Sequence, residues 1–213
     1  MLNRILTPRQ QREEALRAGN RLPPGQSLTQ KFPVLHFGSV PKVNLDTWTF
    51  RIFGEIEQER TWSWPEFNQL PRTQLMLDLH CVTRWSKFDT LWEGVSLKTL
   101  VEQGFIKPKP TAKFVIQHCE QGYTTNTPLA LALSNNMLMA THYDGQPLDA
   151  DHGYPLRMVI GATPGQVSDK TAYLWKGGKW LRGLEFSAQD KPGFWERAGY
   201  HNEADPWREQ RFG

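Results

Sequence analysis

Residues 79–89 read Leu79-His80-Cys81-Val82-Thr83-Arg84-Trp85-Ser86-Lys87-Phe88-Asp89. They close an apolar alternation, "QLMLDLHC", whose Leu75, Leu77, Leu79 and Cys81 fall on one face of an extended strand. The chain then turns abruptly polar and basic. Cys81 therefore ends a strand where a pocket rim would begin. Four chemistries are open to a thiol there: a disulfide, a zinc site, a nucleophile, or a ligand to a heavier metal.

The chain has two cysteines in 213 residues, which is no disulfide framework. His80-Cys81 and His118-Cys119 together offer four zinc-type donors. Adjacent strand residues point to opposite faces, however, and neither pair has the C-x₂₋₄-C spacing of structural zinc. A nucleophilic thiol needs a base and a nearby cation, and His80, Arg84 and Lys87 supply both types. A thiol hydrolase therefore stays open on these residues alone. Cys119, in "FVIQHCEQGYTTN", reads as core filling.

Outward from this stretch, a net charge of +3 is too small to argue for nucleic acid. Nine tryptophans and eleven phenylalanines supply core and pocket wall. Residues 1–30 lack the apolar core of a signal peptide and a twin-arginine pair, and no run approaches the roughly 18 apolar residues of a membrane span. The expectation is a cytoplasmic chain without a membrane span.

Thr7-Pro8-Arg9-Gln10 predicts a capped helix running to Ala18, with Gly19 ending it. A Pro/Gly-rich arm follows. Strands are expected in "TWTFRIFGEI", "QLMLDLHC", "KFVIQHC", "PLRMVI" and "KWLRGLEF", and short helices in "TWSWPEFNQLP", "SLKTLVEQG" and "TPLALALSN". The reading is a helix and arm over 1–30 and one α+β domain over 31–213, dominated by strands.

The motif C-V-T-R-W-S-x-x-D-x-x-W-x-G-V-x-L from Cys81 resembles the cysteine loop of the sulfite oxidase family of molybdopterin oxidoreductases. Further on, "HGYPLR" (152–157) resembles its H-G-x-P-x-R, and Tyr173 through Trp180 resemble its Y-x-W-K-x-x-K-W. "YTTN" and the tail "PGFWERAGYHNEADPW" are similar to a small bacterial branch. The resemblance spans about residues 30–210, with the motifs in the family's order.

The resemblance implies a sulfite-oxidase-type fold of mixed sheets with short helices, and a molybdenum–molybdopterin cofactor. It implies that Cys81 ligates the metal and that His152, Arg157, Lys176 and Lys179 hold the pterin. Gly177 and Gly178 would let backbone N–H groups approach a phosphate. His36 on the arm and His118 before "GYTTN" stand near cofactor-contact positions. Arg84, Trp85 and Tyr123 would line the open side of the metal. The reaction would move an oxygen atom to or from a small oxyanion or an S- or N-oxide. No haem motif C-x-x-C-H occurs, so electrons would pass to a separate carrier. Where relatives carry proline, Gly161 stands, and Gly161–Ala172 looks longer than in the family. Two rivals remain: a non-catalytic molybdopterin-binding module, and a zinc or thiol hydrolase.

Overall fold

The computed structural model of the chain describes residues 6–165 and 171–213. Helix α1 (Pro8–Ala18) forms as its N-terminus demands. The Thr7 hydroxyl accepts from the Gln10 N–H, and the Gln10 side chain accepts from the Thr7 N–H. The helix is polar but not loose. Glu13 is buried and accepts from Arg9 and from the Leu28 N–H, which docks the arm onto the helix.

The elements that follow are β1 (Ser27–Leu28), β2 (Thr49–Gly54), β3 (Arg60–Ser63), α2 (Trp64–Phe67), β4 (Arg72–His80), β5 (Trp85–Val95) and α3 (Leu97–Glu102). Next come β6 (Phe114–Cys119), β7 (Thr124–Pro128), α4 (Leu129–Ala132), β8 (Met137–Tyr143), β9 (Gln146–Pro147), β10 (Arg157–Ile160), β11 (Leu181–Ser187) and α5 (Phe194–Arg197). One sheet runs β1-β5-β8-β10, with β4 also on β5 and β9 on β8; the other runs β3-β2-β11-β6-β7. The pairs β1/β5 and β2/β11 are parallel and the rest antiparallel, so both sheets are mixed. The α+β reading with short helices holds.

The first sheet is buried on both faces at β8 and β10. Met137, Met139, Met158 and Ile160 join the core shared with Phe50, Ile52, Val115 and Leu184 of the second sheet. Their neighbours Leu138, Ala140 and Val159 join a second cluster with Leu77, Leu79 and Trp92. The strand pleat produces this split, because successive side chains face opposite ways.

The sequence pattern marks five of these strands; the short β1, β3 and β9, and also β5, β7 and β8, lie outside it. β5, the longest, has no apolar alternation, because several of its buried positions are Ser86, Thr90 and Gly94. Its Asp89 has φ +54°, and the β4 register shifts across from it between Leu77 and Leu79. β7 is Thr-Thr-Asn-Thr-Pro, again with no apolar residue to mark its face. Of the unusual segment 161–172, residues 166–170 lie outside the described residues. Ala162 forms an antiparallel bridge to Asp78.

Gly94 is where β5 and β8 come closest. A Cβ there would stand 2.0 Å from the Met139 carbonyl oxygen and 2.7 Å from Ala140 Cα, both backbone atoms. Gly94→Ala is expected to destabilise the fold by about 1–3 kcal/mol through overpacking. A lower urea midpoint at unchanged slope checks this; an unchanged midpoint would mean the strands separate freely here.

Candidate active site

Cys81 follows β4 directly and opens a tight turn. Its N–H donates to the Trp85 carbonyl (2.8 Å), and the Arg84 N–H donates back to the Cys81 carbonyl (3.0 Å). Arg84 closes the turn at φ +70°. Side chains from both ends of the chain grip it. Gln26 Nε2 donates to the Cys81 carbonyl (3.0 Å) and Arg211 Nη1 to the Val82 carbonyl (2.7 Å). The Cys81 side chain is 7% exposed, with Sγ 3.2 Å from Thr83 Oγ1. Burial pushes the thiol pKa up, against the opposing pull of the Thr83 hydrogen bonds and Arg211. Without a metal the sulfur is a neutral thiol and a poor nucleophile; a coordinated cation is what would ionise it.

Cys81 opens onto a cavity of about 320 Å³. The arm contributes Phe32, Leu35, His36 and Phe37, β10 contributes Arg157, and the 174–180 segment contributes Trp175, Gly177, Lys179 and Trp180. Trp195 and Tyr200 close it from the tail. Trp85 and Tyr123 are also in the wall.

The electrostatics of this cavity are unbalanced. Arg157 is 1% exposed; its Nη1 donates to the His152 carbonyl (3.0 Å) and its Nε to the Met158 carbonyl (3.3 Å). Lys179 Nζ donates to the Asp151 carbonyl (2.6 Å). Among the described residues neither cation has a carboxylate at ion-pair distance. Desolvation pulls Arg157 down to about 10, and desolvation with the repulsion of Arg157 pulls Lys179 down to about 7. Two desolvated cations facing one cavity are costly unless an anion fills it.

A pH dependence follows. The Lys179 cation is fully present below its folded pKa and is lost as pH rises through about 7. Binding of inorganic pyrophosphate to the cofactor-free protein should therefore weaken from pH 6 to pH 8.5, and Lys179→Met should flatten that slope. Calorimetric titration checks it; a pH-independent affinity would remove Lys179 from anion binding.

The structure brings Cys81, Trp85, Tyr123, His36, Arg157, Gly177 and Lys179 into one wall. The Tyr123 hydroxyl donates to the Trp175 carbonyl (2.7 Å), so the residue presents its ring rather than a free phenol. His36 packs edge-on to Trp180. His152 stands behind the wall, with Nδ1 2.9 Å from both Asp149 carboxylate oxygens, Nε2 3.2 Å from the Phe32 carbonyl, and its ring stacked on Phe32. It braces the arm and the Arg157 contact.

Four expected residues lie elsewhere. Arg84 is exposed and turned toward Gly25, because its positive φ swings it off the cavity side of the turn. His118 points outward from β6 to Glu185 (3.1 Å), while the pleat turns Gln117 and Cys119 inward. The Lys176 ammonium is buried against Glu196 (2.6 Å) and Asn126 (2.8 Å). The Gly178 N–H donates to Gln117 Oε1, and the Gly177 N–H to the Leu174 carbonyl. Those N–H groups have no capacity left for a phosphate. These positions need glycine because a Cβ would meet the Met158 carbonyl oxygen at 2.6 Å or Cys119 Sγ at 2.4 Å. The arm residue Phe32 and the tail residues Trp195 and Tyr200 were missed as wall; the aromatic richness of the tail was the available signal. Both cysteines are free, and no group of three or more His, Cys, Asp or Glu side chains able to hold a metal is gathered among the described residues.

The family model for the oxidoreductase molybdopterin binding domain matches residues 37–195. The chain is 41% identical over 193 residues to the uncharacterized oxidoreductase YuiH of Bacillus subtilis, covering 90% of this chain and 92% of that protein. It is 26% identical over 181 residues to the putative protein-methionine-sulfoxide reductase subunit YedZ1 of Azospira oryzae, spanning 84% of this chain and 64% of that one. In fold it is similar to the sulfane dehydrogenase SoxCD of Paracoccus pantotrophus, with a TM-score of 0.61 at 15% identity over 93% of this chain and 52% of that chain.

Proposed function

The chain belongs to the family of molybdopterin-binding oxidoreductase domains, and from that premise we propose that it moves an oxygen atom to or from a small S- or N-oxide or oxyanion at molybdenum–molybdopterin held by Cys81. It is an oxidoreductase of the sulfite oxidase type. The observation that carries the reading is the pairing of a buried thiol with two cations, Arg157 and Lys179, that have no carboxylate at ion-pair distance among the described residues, on one cavity. A single thiolate suits a soft-ligand metal site, and the cations suit the phosphate of a pterin cofactor. The residues therefore fit the group.

When bound, the molybdenum centre supplies the two-electron change that accompanies oxygen transfer. The chain's own part is positional and electrostatic. Cys81 fixes the metal through a turn held at two carbonyls. Arg157 and Lys179 hold the anionic end of the cofactor. Trp85, Trp175, Trp180 and Trp195 exclude water. The rest of the wall is largely apolar (Leu35, Phe37, Val82, Tyr200) and adds Glu120 and His36 but no further Arg or Lys, which favours a neutral S- or N-oxide over an oxyanion. Electrons pass to or from a separate carrier. A zinc or thiol hydrolase has little support, since three metal donors are not gathered among the described residues and burial pushes the Cys81 thiol pKa up.

The test is metal and pterin analysis of protein from a molybdate-supplied host, with a panel of sulfoxides, N-oxides and sulfite. Near one molybdenum and one pterin per chain, with turnover of the neutral oxides, is the expected result. Pterin without metal-centred redox change would favour the non-catalytic binding module. Zinc without pterin would overturn the reading.

A further inference from the structure

A second polar cluster rests against the Cys81 turn, and none of its members lines the cavity. Arg211 is 5% exposed; its Nη1 holds the Val82 carbonyl, but its buried Nε and Nη2 donate to nothing. Its guanidinium lies 4.8 Å from the centre of the Tyr173 ring. The Tyr173 hydroxyl and the Gln26 side chain are buried beside it and interact with each other, with no further hydrogen-bond partner. Buried N–H groups left unpaired are costly, so the two of Arg211 call for a polar partner, an ion or a water.

Residue 25 puts no side chain of its own into the space they face, because it is glycine. At φ +66° a Cβ on Gly25 would stand 3.1 Å from Arg84 Nη1 and 3.3 Å from Arg211 Nη2. Two guanidinium groups thus converge where a side chain is absent. One carboxylate competes for the same space. Glu209 Oε1 would lie 2.4 Å from that Cβ, and it stands 3.8 Å from Arg211 Nη2, too far for a hydrogen bond. The Glu209 side chain is about half exposed and free to swing out.

We propose that Gly25, Gln26, Arg84, Tyr173 and Arg211 form a binding site for a small inorganic oxyanion of the sulfate or phosphate class, which displaces Glu209. The anion takes the free N–H groups of Arg211 and the head of Arg84, a forked arrangement suited to a tetrahedral oxyanion. Because Arg211 also holds Val82, the anion braces the turn that carries Cys81. The site stands apart from the cavity and does not depend on the proposed reaction.

The test is calorimetric titration of the cofactor-loaded protein with sodium sulfate at low ionic strength, with chloride as control. Arg84 and Glu209 are both exposed, so their variants should fold. Wild type should bind one sulfate, Arg84→Ala should weaken it about tenfold, and Glu209→Gln should tighten it about tenfold, each the loss or release of one charged contact. The opposite signs are the signature, since a merely structural role for these side chains predicts neither. No saturable binding, equal affinity in all three proteins, or weaker binding in Glu209→Gln would overturn the site. Equal affinity would place the anion elsewhere on the protein, away from Arg84 and Glu209.

Discussion

Cys81→Ser is expected to lower turnover by about 100-fold or more, since loss of even an outer partner of a metal ligand costs about 10–100-fold. The fold should hardly notice. Serine is close to cysteine in shape, its hydroxyl can keep the contact to Thr83, and the turn is held by the Cys81 and Val82 carbonyls rather than by the sulfur. Arg157 and Lys179 remain, so pterin should be retained in good part while the metal loses its one protein thiolate. X-ray absorption at the molybdenum edge, with turnover normalised to pterin, checks this: the variant should show one fewer sulfur neighbour. A hydrolase also predicts lost activity, so the edge spectrum is the deciding measurement. An unchanged sulfur shell with unchanged turnover would remove Cys81 from the metal.

How much of this was legible beforehand depends on which physics wrote it. The capping box of α1 is local, so Thr7 and Gln10 announced it. Strands with one apolar face were visible for the same reason. β5 was not, because its buried positions include serine, threonine and glycine that satisfy one another across strands; Ser86 pairs with His80, and Thr90 with the Leu77 carbonyl. In the site, Cys81, Arg157 and Lys179 stood out as a motif, and the structure brings them to one wall. His118 did not follow, since a one-residue step along β6 sends a side chain to the other face. Arg84 sits three residues from Cys81 in sequence, but a positive φ turns it away. Spacing along the chain carries neither fact.

Lys176 is the sharpest such case, and it yields the second large effect. Sequence resemblance made it a cofactor contact. Its ammonium is instead buried with Glu196, whose Oε1 also accepts from Thr125 Oγ1 (2.8 Å) and Trp175 Nε1 (3.3 Å). Burial lowers the Lys176 pKa, with the attraction of Glu196 opposing it. The pair ties α5 in the tail to the segment that carries Gly177 and Lys179. Lys176→Met leaves a buried carboxylate without its cation and should cost about 3–5 kcal/mol. For a chain of this size that lowers Tm by roughly 6–20 °C. Adding Glu196→Gln removes the stranded charge while keeping an acceptor for Thr125 and Trp175, so the double variant should regain most of the loss. Thermal unfolding of the cofactor-free proteins measures both. If Lys176 held the cofactor directly, the single variant would keep its cofactor-free stability, lose pterin, and gain nothing from the second change. Recovery in the double variant separates the two roles, because only a buried pair is repaired by neutralising its partner.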